Sequence, residues 1–219
     1  MVSETDQLRS IQDIKQMMEK SSRFISLSGL SGVAAGVCAL IAAWFGCEKI
    51  AAYQQGRITT DTVIRDANDG LRTAYDNLEQ QLILIAAVTF FAAFILAFLF
   101  TWLRSRKTGV PVWGFTARRV MINVLIPMIA GGLFIWRIKE LNAYSLIAPA
   151  SLIFYGLALI NASRYTLPEI RFLGFGQLIL GLINLWMPGE GLYFWAAGFG
   201  LLHIIYGIVM WQKYERNNN

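Results

Sequence analysis

Six stretches of the chain run for sixteen residues or more without Asp, Glu, Lys or Arg, and the charged residues gather between them. They cover about 24–46, 82–103, 120–136, 145–163, 172–187 and 192–212. An α-helix rises about 1.5 Å per residue, so some 20 apolar residues cross a hydrocarbon core of about 30 Å. The pattern therefore predicts an all-α integral membrane protein with six transmembrane helices in one bundle. The first stretch is unusual in being small as well as apolar. Ser28, Gly32 and Gly36 form one ridge at four-residue spacing, and Ser31, Ala35, Ala39 and Ala43 form another. Lipid does not require small residues, but a closely approaching helix does. This predicts a central helix packed between neighbours, with Ser28, Gly32 and Gly36 as its packing positions.

The polar segments predict the rest of the organisation. Residues 1–22 place Leu8, Ile11, Ile14, Met17 and Met18 on one side of a helix, with Arg9, Lys15 and Lys20 beside them. That is an amphipathic arm, lying on the membrane surface or extending the first span. Residues 47–81 form the one long connection. Ile64, Ala67, Leu71, Ala74 and Leu78 recur at helical spacing, and Thr60 with Asp61 suits a helix start, so a helical hairpin is expected outside the bilayer. Thr166 and Glu169 have the spacing of a capping box for the fifth span. Residues 213–219 are expected as a polar tail.

Charge then sets the orientation. With both termini in the cytoplasm, 13 of the 19 basic residues fall on inner segments and 6 on outer ones. Arg104, Arg106, Lys107, Arg118 and Arg119 crowd one loop that has no acid. The net charge of +5 is therefore read as orientation in a bilayer, and nucleic acid is not expected as a partner. Residues 1–22 are too polar for a cleavable signal, so the first span should be an uncleaved anchor. Cys38 and Cys47 stand about 13 Å apart on one helix, too far for a bridge within the chain.

A weak repeat is also present. Gly132-Leu133-Phe134-Ile135-Trp136 matches Gly181 to Trp186 with one insertion, Phe154-Tyr155-Gly156-Leu157 matches Ile205-Tyr206-Gly207-Ile208, and Arg164-Tyr165 matches Lys213-Tyr214. The offsets, 49 to 51 residues, make spans three and four and spans five and six a parallel repeat of hairpins. The glycine- and leucine-rich helix, the Trp-Met-Pro-Gly turn and the helix ending in Tyr-Gly-Ile resemble the hairpins of HdeD-like bacterial inner-membrane proteins over about residues 170–210. The whole chain resembles uncharacterised six-span bacterial membrane proteins with a Ser-Arg-Phe-Ile-Ser-Leu-Ser-Gly-like first span and an Arg-Tyr-Thr-Leu-Pro-Glu-Ile-like loop. The resemblance implies a multi-pass protein of the inner (cytoplasmic) membrane. It brings no catalytic residues, and the long outer connection departs from the HdeD-like pattern.

The spans contain little chemistry. No carboxylate lies within them, there is one histidine, and no metal-ligand or phosphate-loop spacing occurs. Neither a cofactor nor enzymatic activity is expected. The intramembrane polar residues are Gln177, Asn184, His203, Tyr206, Asn123 and Asn161. Gln177 and Asn184 share a face of the fifth helix, and His203 and Tyr206 lie on the sixth. Pro127 leaves the Asn123 carbonyl without its helical partner. Unpaired polar groups in hydrocarbon cost several kcal/mol each. Gln177 and His203 sit at similar depths on antiparallel neighbours, so a buried, neutral His203 bonded to Gln177 directly or through one water is expected. Two functions are open. One is a non-enzymatic role in assembly, signalling or envelope stress, with the bilayer and a homo-oligomer or protein partner at residues 47–81. The other is a small transporter or channel that binds a small molecule or lipid between the repeats.

Overall fold

The computed structural model describes residues 28–61, 68–109 and 113–216, and among these every regular element is a helix. We number the helices α1 (Gly29–Asp61), α2 (Asn68–Thr108), α3 (Phe115–Glu140), α4 (Ile147–Ala162), α5 (Glu169–Asn184) and α6 (Gly191–Tyr214). Short 3₁₀ turns flank α4, and α6 contains a π-helical segment at Ala196–Leu202. The arm at 1–22 lies outside the described residues, as do 62–67 of the outer connection and the last three residues of the tail.

Among the described residues, five segments are long and apolar enough to cross a membrane: Gly29–Gln55, Asn77–Lys107, Phe115–Glu140, Tyr144–Tyr165 and Gly191–Tyr214. The stretch expected as a fifth span, 172–187, is shorter than a full crossing. Its helix, α5, has 16 residues and starts and ends three residues earlier than expected. After Asn184 the chain tightens: Leu185 bonds to Leu182, Trp186 to Ile183 and Met187 to Asn184, before Gly189 turns it with φ 101°.

The outer connection also differs from the expected hairpin. Helix α1 runs through Thr60 and Asp61, so these residues end the first helix and do not cap the second, which starts at Asn68. Extending an existing helix adds a hydrogen bond per residue without a new nucleation cost, and this outweighs a local capping preference. With 33 and 41 residues, α1 and α2 run to about 50 and 60 Å, well beyond a bilayer core.

Helix α1 packs between α2 and α6; α6 also meets α4 and α5; α5 lies along α4; and α3 covers the other side of α4. Small residues determine these approaches. A Cβ on Gly36 would fall 2.6 Å from the Gly200 carbonyl, and one on Gly32 would fall 3.3 Å from the Gly207 Cα. The tightest approach on α1 is at Gly29, outside the expected ridge, where a Cβ would meet the Trp211 nitrogen at 2.3 Å; Ser28 is buried but serves a hydrogen bond. Gly156 and Gly174 bring α4 and α5 together in the same way. Helix α2 touches little besides α1, and Phe90, Phe91, Phe94 and Phe98 are exposed, as lipid-facing rings should be.

Candidate functional site

The most buried polar side chain, Gln177, meets His203 where α5 faces the π-helical segment of α6. Gln177 is fully buried and His203 nearly so. The π-helical turn places the Gly198 carbonyl between them. The Gln177 Nε2 donates to that carbonyl at 2.8 Å, and the His203 Nδ1 lies 3.0 Å from it. The carbonyl can only accept, so a neutral imidazole here carries its proton on Nδ1. Nε2 then accepts from the Tyr155 hydroxyl of α4 at 2.9 Å. Gln177 Nε2 and His203 Nδ1 stand 3.3 Å apart as two donors sharing one acceptor. The structure thus brings Gln177 and His203 together, within hydrogen-bond distance of each other, and adds the Gly198 backbone carbonyl as a partner to both.

A side chain at Gly198 would have to displace its neighbours. A Cβ would lie 2.4 Å from Leu152 Cδ2 and 2.5 Å from Gln177 Oε1. The rings of Tyr155, Phe199 and His203 pack with centroids 5.0 to 6.0 Å apart, and Trp195 extends the group. This apolar enclosure strengthens the few polar bonds inside it. Gln177 Oε1 and Asn184 Oδ1 are buried without a protein hydrogen-bond partner, on the same face of α5 and about 10 Å apart.

The other expected residues serve elsewhere. Asn184 donates to the Met187 carbonyl at 3.2 Å, closing the end of α5. Tyr206 packs against the apolar cluster of Leu159, Leu167, Ile170, Leu173 and Met210 and makes no bond to the node. Asn161 donates to the Asn123 carbonyl at 3.0 Å, supplying the partner that Pro127 removes. The Asn123 side chain turns back to the Arg119 carbonyl.

The face holding the ends of α2 and α6 and the starts of α1, α3 and α5, here the basic face, carries a second set of polar contacts. Glu215 accepts from the Gly29 backbone N–H at 2.6 Å, from Ser28 Oγ at 3.2 Å and from Arg104 at 3.0 Å. A carboxylate at the end of the last helix thus caps the first, where the helix dipole favours negative charge. Glu169 pairs with Lys213 and the Tyr214 hydroxyl. Burial pushes the Glu169 carboxyl up, but the Lys213 ammonium, its own backbone N–H and the Tyr214 hydroxyl together hold it below the ordinary value. So residues 213–215 belong to the packed structure, not to a free tail. On the opposite face, Glu79 of α2 pairs with Lys139 at 2.6 Å and accepts from Tyr144 at 3.3 Å.

Tyr155, Gly198 and Glu215 are absent from the expected polar set. Tyr155 carried a signal, because it lies in the repeat opposite Tyr206; one glycine among 19 and one acid in a polar end did not. Among the described residues no three His, Cys, Asp or Glu side chains form a group that could hold a metal. No protein-family model, curated protein or solved structure matches the chain.

Proposed function

We propose that this is a non-enzymatic, six-helix protein of a bacterial inner membrane, with both termini cytoplasmic, working in assembly, signalling or envelope stress. The observation that carries this reading is how the buried polar groups are used. Gln177, His203 and Tyr155 converge on one another and on Gly198, and Asn161 is spent on the Asn123 carbonyl. Such groups fasten helices, which suits a scaffold better than a reaction centre. Inclusion of α5 as a sixth inserted helix is supported by its antiparallel match to α6, Gln177 lying against Gly198 and Asn184 near Gly191. The hairpin repeat is supported by Gly156 and Gly207, its matched glycines. Each sits at a close backbone approach to a neighbouring helix, Gly156 to α5 and Gly207 to α1.

Partners would meet the protruding ends of α1 and α2. Cross-linking from that end, with the protein in its native membrane, should yield a discrete adduct with a second copy or another protein. Single cysteines in a Cys38→Ala, Cys47→Ala background test the orientation. Impermeant reagent added outside should label Asn68→Cys and spare Thr108→Cys, and the reverse would overturn the assigned topology. The second reading, a small carrier or channel, is favoured by the two buried carbonyl oxygens of Gln177 and Asn184. Solute flux in proteoliposomes that Gln177→Leu abolishes without unfolding the protein would replace the first reading with this one.

A further inference from the structure

Helices α2 and α3 are consecutive, yet they do not pack along their lengths: α2 lies on α1 and α3 on α4. Glu79 ties them only at the face opposite the loop that joins them. The basic end of this seam is bordered by Arg106 and Lys107 at the end of α2 and by Arg118 and Arg119 at the start of α3, all exposed. None of the four makes an ion pair among the described residues. The two described acids of that face, Glu169 and Glu215, are already engaged by Lys213 and Arg104. Arg106 stands 4.0 Å over the Trp102 ring and Arg119 4.2 Å over Phe115, so exposed aromatic rings hold guanidinium groups at the seam's end.

We propose that the α2–α3 seam binds an anionic phospholipid, its phosphate among Arg106, Lys107, Arg118 and Arg119 and its acyl chains against the apolar sides of α2 and α3. Guanidinium and phosphate pair in bidentate fashion, and basic positions beside membrane helices recognise anionic headgroups. Charge complementarity selects the occupant: four cations with no ion pair among the described residues stand beside two apolar helix faces, which fit a lipid with a charged head. The site depends on membrane insertion, not on whether the protein acts as scaffold or carrier.

The test is lipid retention by the intact protein in mild detergent, counted by native mass spectrometry during titration with phosphatidylglycerol or phosphatidylcholine. Each basic residue near the headgroup should contribute about a five-fold preference. Arg118→Gln with Arg119→Gln should therefore reduce the preference for phosphatidylglycerol by roughly twenty-five-fold. Arg118→Lys with Arg119→Lys should keep most of it, and Lys49→Gln on the opposite face should keep all of it. If the double glutamine variant does not fold, Arg106→Gln with Lys107→Gln makes the same test from α2. Equal retention of the two lipids by the unaltered protein would overturn the proposal, leaving the cluster as a face for an acidic protein segment. So would a preference that survives both double glutamine variants, or one that Lys49→Gln reduces equally.

Discussion

At the scale of single residues, the bundle depends on where a side chain is missing. Gly198 and Gly132 look alike in sequence, each a small residue in an apolar helix. A Cβ at Gly198 would press on Leu152 and on the Gln177 amide, whereas one at Gly132 would meet nothing within 4 Å. Gly198→Ala should therefore cost about 1–3 kcal/mol, as overpacking a filled site does. Gly132→Ala should be neutral or slightly favourable, because alanine is the better helix former. Thermal unfolding midpoints in a mild detergent check the pair, and similar losses at both positions would contradict the packing described. The same contrast shows how far the node was legible. A lone glutamine and a lone histidine in apolar helices must find partners, which pointed to Gln177 and His203. Nothing in an apolar stretch marks which glycine carbonyl will join them, because that depends on the π-helical turn of α6.

At the scale of elements, backbone groups left open by one helix are closed by another. Pro127 removes an N–H inside α3, and the carbonyl it frees on Asn123 receives the Asn161 side chain from α4. Asn161→Ala should then cost roughly 0.6 to 1.7 kcal/mol, the range of hydrogen bonds between membrane helices. In a Pro127→Ala background the cost should shrink, because the substitution restores the N–H and the carbonyl regains its own helical partner. The checking measurement is a double-mutant cycle of unfolding free energies; strict additivity would show that Asn161 does not serve that carbonyl. The open carbonyl was readable from Pro127, but its donor was not, because Asn161 lies 38 residues further along the chain. Element lengths divide along the same line. Apolar stretches mark where helices sit in hydrocarbon. Helix ends are set by local hydrogen bonds, so α5 stops early at Asn184 and α1 continues past Thr60.

At the scale of the molecule, the start of the first helix and the end of the last are joined. Glu215 follows the last helix, yet it accepts from Ser28 and the Gly29 N–H at the start of α1 and pairs with Arg104 at the end of α2. Both side chains of the ion pair are largely shielded, at 10% and 17% exposure, so solvent screens them weakly. The carboxylate is also the contact that holds the ends of three helices at one point. Glu215→Gln keeps an acceptor for the Gly29 N–H but removes the negative charge that faces Arg104. Arg104→Met strands the carboxylate instead, although its bonds to Ser28 and Gly29 remain. Each single change should be destabilising, and Arg104→Met with Glu215→Gln should be less so than the two losses added, because no unpaired charge is left. The expected coupling is about 0.5–3 kcal/mol, read from unfolding of the four proteins in one detergent. Zero coupling would mean that the carboxylate caps α1 independently of Arg104, and that the basic end of α2 is held by its packing on α1.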